Sequence, residues 1–317
     1  MLPNSSRTVR SIRCSWSPIV ARSAIARAGI AAIVVSSLIE SRTVAAQTPD
    51  TSSAAAGVQT ASERPRPPEP LFTARDALVA GAFALGTVAM FPVDRWVAER
   101  LQDPAVQENR FFDRAARGFE FIATPGAYYI GGTLYVVGRV ARLRRVADLG
   151  WHGTEALFVA EGVGNLLKRM VGRARPHVSG ASNPSDYELA GGFRTEDRRS
   201  FPSGHTFTAF AAAAAVTSET SRWWPRSTWL VAPLMYGGAT MVGLSRMYHN
   251  KHWASDVVLG AAIGTFSGLK VVRYHHSHPG NRLDRWLLGS VAVLPDGRGG
   301  AVVFVSLPSP SDMARPQ

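Results

Sequence analysis

The segment SRMYHNKHWASD, residues 245–256, concentrates side chains that can do chemistry. His249 and His252 are three positions apart, and Asp256 follows four positions after His252. On a single helix these three side chains would share one face. Such a face could hold a metal ion, carry acid–base or nucleophilic catalysis, or form a polar stripe in water.

His252, Asp256 and Arg246 have a spacing that suits phosphate chemistry. A carboxylate one helical turn from an imidazole can bond one ring nitrogen, which fixes the tautomer and leaves the other nitrogen free to attack. Arg246 offers a planar fork that can bind two phosphate oxygens. Taken alone, two histidines and an aspartate are more often the polar end of a helix than a site.

A second segment, KRMVGRARP at residues 168–176, is strongly cationic. Pro176 ends the helix candidate that precedes it. By itself such a run is typical of a solvated face, or of the region beside a membrane span. The cations are Lys168, Arg169, Arg173 and Arg175.

A third segment, SFPSGHTF at residues 200–207, predicts the start of a helix. Ser203 is a favourable N-cap residue, and the free N–H groups of a first helical turn attract an anion. Gly204 would let an anion approach the backbone closely. His205 would then lie in the first turn, near the same place. In isolation the segment is equally typical of an ordinary N-cap with an incidental histidine.

Together the three segments resemble the type 2 phosphatidic acid phosphatase / vanadium haloperoxidase superfamily. The signature motifs KxxxxxxRP, PSGH and SRxxxxxHxxxD are all complete here and in that order. The resemblance covers residues 71–275. It implies an all-α catalytic domain, a phosphatidic acid phosphatase-like bundle of six helices, which we expect to be embedded in a membrane.

The resemblance also implies a role for each motif residue. His252 matches the nucleophile that forms a covalent phosphohistidine, and Asp256 matches the carboxylate that orients it. His205 matches the general acid that protonates the leaving oxygen and then the base that activates water. The remaining matches are phosphate-binding residues, namely Lys168, Arg175, Ser203, Gly204 and Arg246.

We expect no metal and no cofactor at this pocket. A pocket lined by Lys168, Arg175 and Arg246 would repel a divalent cation, which weakens the metal interpretation of the opening segment. Vanadate would be a cofactor only under the haloperoxidase alternative, in which His252 binds vanadate. The resemblance implies no role for His249.

Six apolar segments rich in Ala and Gly are the helix candidates that would position these motifs. Small residues permit close helix packing, in a membrane or in a large soluble bundle. The segments are Ala77–Val93, Phe121–Gly138, and residues 151–167, 206–218, 227–245 and 257–269. After residue 286 the pattern alternates around Pro-Asp-Gly-Arg-Gly-Gly, which predicts a short β-hairpin extension over residues 286–307.

The first 46 residues have the three parts of an export signal. An arginine-rich start precedes the apolar core Ala28–Ile39, and small residues follow at Val44-Ala45-Ala46. The only cysteine, Cys14, would be removed with the signal, so the mature chain could form no disulfide and use no thiol nucleophile. Residues 47–70, rich in Pro, Ser and Thr, predict a flexible linker.

Two sequence patterns disagree about where the protein is located relative to a membrane. With 46% hydrophobic and 18% charged residues, the chain is poor in charge for a soluble protein. Six membrane helices with the motifs on the outer face would require residue 75 on the cytoplasmic side. The basic stretches 139–145, 222–226 and 270–285 would then also lie on the cytoplasmic side, as is usual for basic segments beside membrane helices. A cleaved signal instead places residue 47 outside. A soluble exported bundle, like the family's secreted acid phosphatases, removes the conflict.

We therefore expect an exported protein of the cell envelope, either in the inner membrane with its active site facing the periplasm or soluble in the periplasm. The leading hypothesis is a phosphatase acting on a phosphomonoester or pyrophosphate of a lipid. The alternatives are a vanadium-dependent haloperoxidase, a soluble non-specific acid phosphatase and a non-catalytic anion-binding module. The expected partners are a phosphorylated lipid and a membrane, with no nucleic acid. The sequence does not distinguish among lipids or oligomeric states.

Overall fold

The computed structural model of the protein describes residues 70–278, Asp284, and residues 291–295 and 301–305. The predicted export signal and all but the last residue of the predicted linker lie outside this part of the chain.

Every regular element between residues 74 and 277 is a helix, so the prediction of a mainly helical protein is confirmed. The helices are α1 (Ala74–Met90), α2 (Asp94–Leu101), α3 (Pro104–Gln107), α4 (Arg110–Phe121), α5 (Ala127–Val140), α6 (Arg144–Val171), α7 (Pro176–Ser179), α8 (Gly204–Trp223), α9 (Thr228–Tyr248) and α10 (Ala254–Ser277). Short 3-10 turns lie at Phe91–Val93, Gly191–Phe193, Glu196–Arg198 and Pro225–Ser227, and a π turn lies at Ile122–Gly126.

All six apolar candidates lie mainly in helices, but Phe121–Gly138 is broken at Thr124, which has φ of −148° and ψ of 116°. The described part of the chain also contains further helices, so a count of six is not confirmed. The helices that the sequence patterns missed include α2 and α4. Their sequences, DRWVAERL and RFFDRAARGFEF, mix charged and apolar residues. A search for uncharged apolar runs passes over such amphipathic segments.

Two strands follow the helices. Strand β1 (Val291–Pro295) pairs antiparallel with β2 (Ala301–Val305), and Val291 lies opposite Val305. The connection between them lies outside the described residues, so the predicted hairpin over residues 286–307 remains a prediction.

Helix α8 lies at the centre of the bundle, packed against α6, α9 and α10. Its alanines make this possible, because Ala211, Ala213, Ala214 and Ala215 are fully buried and occupy little volume. Three glycines four residues apart on α10 face α8: a Cβ at Gly260, Gly264 or Gly268 would lie 2.7, 2.2 or 2.6 Å from a backbone oxygen of that segment. The two backbones are therefore closer than any side chain would allow.

We expect Gly264→Ala to destabilise the bundle. The added methyl group would lie 2.2 Å from the Phe207 carbonyl oxygen, so the backbones must separate. Overpacking of this kind costs about 1–3 kcal/mol, which lowers the melting temperature by about 2–4 °C for each kcal/mol. Gly237→Ala on α9 is the matched control, because a Cβ there meets nothing within 4 Å. Thermal unfolding of both purified variants checks this, and equal melting temperatures would contradict it.

Candidate active site

The bundle brings all eight predicted site residues to one end. The C-terminal end of α6, the N-terminus of α8, the C-terminal end of α9 and the N-terminus of α10 meet there, because successive long helices run in alternating directions. Coulombic interactions among His252, Lys168, Arg175, Arg246 and His205 reflect their proximity. A backbone hydrogen bond of 2.9 Å from Ser203 N–H to the Asp256 carbonyl ties the second motif to the third.

The first motif, KRMVGRARP, begins in the last turn of α6 and continues into the turn that follows this helix. Gly172 ends the helix in the left-handed conformation, with φ of 63°, and a Cβ there would lie 1.8 Å from the Glu188 carbonyl oxygen. The turn that follows separates two cations. Arg173 is fully buried against carboxylates, whereas Arg175 is half-buried and its Nε finds no hydrogen-bond partner among the described residues.

Ser203 occupies the N-cap position of α8, as the sequence predicts, but its side chain does not cap the helix. Its hydroxyl instead accepts a hydrogen bond of 2.8 Å from Thr206 Oγ1. The first-turn N–H groups of α8 therefore keep their capacity for an anion. Gly204 lies beside Lys168, whose Nζ would be 3.1 Å from a Cβ at position 204, so a larger residue would press against this ammonium group.

His252 is buried, and its Nδ1 lies 2.8 Å from the backbone carbonyl oxygen of Ser200. A carbonyl can only accept, so Nδ1 carries the proton and Nε2 keeps its lone pair. The sequence predicts Asp256 as the partner of this imidazole. In the structure the Asp256 carboxylate is 3.5 Å from Nδ1, so it faces the ring electrostatically while Ser200 takes the hydrogen bond.

The segment SRMYHNKHWASD is not one continuous helix, in agreement with the separate helix candidates 227–245 and 257–269. Helix α9 ends at Tyr248 and α10 begins at Ala254, and Asn250 between them has φ of 57°. His252 therefore lies in the connection and Asp256 in the first turn of α10. The two histidines do not share a helical face, which removes the geometric basis for a metal site at this segment.

His249 belongs to a different group of contacts. Its Nδ1 lies 2.8 Å from Glu120 Oε1 on α4, and its Nε2 lies 3.4 Å from Asp113. Glu120 also pairs with Arg246 at 2.7 Å. Glu120 therefore contacts both residues and lies between His249 and Arg246.

A buried charge network that the sequence did not predict supports Asp256. Arg173 donates to Asp256 Oδ1 at 2.6 Å and to Asp94 Oδ2 on α2 at 2.7 Å, and all three side chains are fully buried. The Ser200 hydroxyl and the Trp253 N–H also donate to Asp256. Asp256 is thus held by fixed donors, and Arg173 connects the site to α2.

Burial and the cations of the pocket lower the pKa of both histidines. Burial and the charges of Lys168, Arg246 and Arg175 hold the pKa of His252 well below its ordinary value. Burial and the same cations lower the pKa of His205 to about 3. A bound phosphate dianion would offset those cations and raise the pKa of His205, which favours its protonated form at the moment when a general acid is needed.

Comparison with known proteins adds to this geometry. Residues 150–279 match the family model of the PAP2 superfamily. That range contains all three motifs and all eight predicted site residues. The part of the chain that carries the site is therefore type 2 phosphatidic acid phosphatase-like. Two residues that support the site, Asp94 and Glu120, lie before the matched range.

Over 107 residues the chain is 37% identical to a lipid A 1-phosphatase of Porphyromonas gingivalis, and the aligned region covers 34% of this chain and 19% of that relative. Over 135 residues it is 33% identical to the decaprenylphosphoryl-5-phosphoribose phosphatase of Mycobacterium tuberculosis, which covers 43% of this chain and 66% of that relative. The chain therefore spans less than two thirds of the length of these curated relatives.

Among solved structures, the chain is similar to Aquifex aeolicus LpxE, with 21% identity, a TM-score of 0.42 and coverage of 57% of this chain and 96% of that one. It is also similar to a PAP2-type phosphatidylglycerolphosphate phosphatase of Bacillus subtilis. There the identity is 20%, the TM-score 0.34 and the coverage 62% and 98%.

Proposed function

We propose that this protein is a metal-independent phosphatase that hydrolyses a phosphomonoester or pyrophosphate of a lipid through a phosphohistidine on His252. One observation carries the proposal. A buried imidazole with Nδ1 fixed by the Ser200 carbonyl presents an unprotonated Nε2 among three cations, Lys168, Arg175 and Arg246. Such an arrangement suits attack on a phosphorus atom whose oxygens need compensating charge.

The reaction has two steps. In the first, the Nε2 lone pair of His252 forms a P–N bond, the P–O bond to the leaving group breaks, and His205 gives its proton to the leaving oxygen. In the second, His205 takes a proton from water, the resulting hydroxide attacks phosphorus, and the P–N bond breaks to release inorganic phosphate. Asp256 stabilises the positive charge that His252 gains in the first step.

The protein supplies charge compensation without a metal. The equatorial oxygens of the transferring phosphoryl group would meet the Lys168 ammonium, the guanidinium groups of Arg175 and Arg246, and the N-terminus of α8. The unsatisfied Nε of Arg175 and of Arg246 supports this assignment, because both are buried donors that lack a partner among the described residues.

The surface of the bundle favours a membrane environment. Large apolar side chains on α1 and α9 are 70–77% exposed, a degree of exposure that a soluble monomer rarely repeats over several helices. They are Leu78, Leu85, Trp229 and Leu234. Two stretches, Ala74–Leu101 and Ala254–Ser277, are long and apolar enough to cross a membrane. A lipid-embedded bundle would also present its pocket to a lipid headgroup, and the curated relatives are named for phosphorylated lipids.

A phosphate-release panel tests the proposal. We expect the detergent-purified protein to release phosphate from at least one phosphorylated lipid at the same rate with and without added Mg²⁺. Phosphatidate, phosphatidylglycerol phosphate, undecaprenyl pyrophosphate and lipid A form the lipid arm, and soluble phosphomonoesters form the control arm. Equal turnover in both arms would favour a non-specific acid phosphatase. Peroxide-driven halide oxidation with added vanadate, without phosphate release, would replace the proposal by a haloperoxidase.

A further inference from the structure

A second group of ionisable residues lies at the opposite ends of the helices that form the candidate active site. We call it the histidine cluster, and its members are His152, Glu155, Glu219, His275, His276 and Asp284. His152 precedes Lys168 by 16 positions on α6, and His275 follows Asp256 by 19 positions on α10. At 1.5 Å per residue these separations are about 24–29 Å, so the cluster is a separate feature of the fold.

His152 is the central member of the histidine cluster. It is 3% exposed, and its Nδ1 lies 2.6 Å from Glu219 Oε1. Its Nε2 is buried and makes no hydrogen bond with any described residue; Asp284 Oδ1 lies 3.8 Å away. A buried ring nitrogen that has no hydrogen-bond partner among the described residues is a position at which a further group can bind.

His275 is arranged in the same way around Asp284. Its Nδ1 lies 2.7 Å from Asp284 Oδ1, and its Nε2 lies 2.6 Å from Glu155 Oε2. His152, His275 and Asp284 each offer one ligand atom, and the three atoms lie within 4.8 Å of one another. Each histidine therefore directs one nitrogen toward Asp284 and the other toward a glutamate.

This is the pattern of a metal site in which each histidine ligand already has a hydrogen-bond acceptor for its other ring nitrogen. A histidine that binds a metal nearly always donates its other N–H to a carboxylate or carbonyl, and this hydrogen bond fixes the tautomer. Glu219 is the carboxylate partner of His152, and Glu155 is the carboxylate partner of His275. We propose that His152, His275 and Asp284 bind a divalent transition-metal ion such as Zn²⁺.

The donor set suits Zn²⁺, which binds imidazole nitrogen at about 2.0–2.1 Å and carboxylate oxygen at about 2.0–2.2 Å. The two imidazoles are stacked, with centroids 4.1 Å apart and planes 16° from parallel, so they must tilt toward each other when the ion binds. The ion would join α6 to α10 and to Asp284 beyond the end of α10. Such a link would act as a structural crosslink, separate from the phosphate pocket.

Metal analysis of the tag-free full-length protein tests the proposal. After treatment with excess Zn²⁺ and desalting, we expect about one zinc per chain by inductively coupled plasma mass spectrometry. We expect His152→Ala and the nearly isosteric Asp284→Asn to lose it, and Glu155→Gln to weaken binding about 10–100-fold. His278→Ala is the matched control, because it removes an exposed imidazole three positions after His275 and should keep the zinc.

Co²⁺ in place of Zn²⁺ provides a second measurement, because a four-coordinate cobalt site absorbs strongly in the visible range. Absence of bound zinc in the wild-type protein would overturn the proposal, and so would binding that survives both His152→Ala and Asp284→Asn. Loss of zinc in His276→Ala but not in Asp284→Asn would place the ion among His152, Glu219 and His276 and would also overturn it.

Discussion

Replacing His252 by alanine is expected to reduce phosphate release by at least about 10³-fold, because the variant cannot form the P–N bond on which the proposed mechanism depends. Phosphate affinity should change much less, because Lys168, Arg175 and Arg246 remain in place. The loss should therefore appear in kcat rather than in KM. Rapid-quench trapping with a ³²P-labelled substrate should yield an acid-labile phosphoenzyme from the wild-type protein and none from the variant.

Two further variants make the His252 result specific. His205→Ala keeps the nucleophile but loses the proposed acid and base, so we expect a loss of about 10²–10⁴-fold with a phosphoenzyme that still forms and persists longer. His278→Ala removes an imidazole that lies beyond the end of α10, and its turnover should match that of the wild type. Undiminished turnover in His252→Ala would refute the assignment of the nucleophile.

The ends of the helices carry the part of the site that the sequence could predict. Ser203 before an alanine-rich run predicts the start of a helix, and Pro176 after a cationic run predicts that a helix ends nearby. The prediction that Pro176 itself ends the helix is wrong, because α6 ends at Val171 with Gly172 as its cap and Pro176 is the first residue of α7. Both rules act over a few residues, so they place Lys168 and His205 near helix termini without knowledge of the fold. That these termini meet followed from the resemblance to a family, because no local rule brings positions 168 and 252 together.

Contacts between distant parts of the chain were not predictable in this way. Asp94 and Arg173 are far apart in sequence, and neither has a periodic neighbour that would reveal a buried pair. A cationic run is usually solvated, which made Arg173 indistinguishable from Arg169 beside it. In the structure Arg169 is exposed, whereas Arg173 is surrounded by the rings of Phe91, Tyr187, Phe201 and Trp253 at 5.2–5.9 Å.

The direct partner of His252 was not predictable from the segment SRMYHNKHWASD, for a different reason. His252 and Asp256 do have the spacing of one helical turn, and a helix that began a few residues earlier would make them direct partners. The backbone reverses at Asn250 instead, which directs the His252 imidazole to the Ser200 carbonyl. A side chain tolerant of positive φ at that position is a signal for such a break, although asparagine is also common in continuous turns.

Arg173→Met is expected to destabilise the protein by about 3–5 kcal/mol, because it leaves two fully buried carboxylates, Asp94 and Asp256, without their shared cation. At about 2–4 °C for each kcal/mol, the melting temperature should fall by roughly 6–20 °C. Arg169→Met is the matched control: it removes an exposed cation four residues earlier and should change stability by no more than about 0.5 kcal/mol. Thermal unfolding of both detergent-purified variants measures the difference.

Arg173→Lys separates the effect of charge from that of geometry. A lysine keeps the positive charge but has no planar fork, so it cannot donate to Asp94 and Asp256 in the directions that Arg173 uses. We expect intermediate stability, with turnover below that of the wild type because Asp256 loses a fixed donor beside His252. If Arg173→Met were as stable and as active as Arg169→Met, the buried network would have no part in holding Asp256. The Ser200 hydroxyl and the Trp253 N–H would then suffice to position that carboxylate.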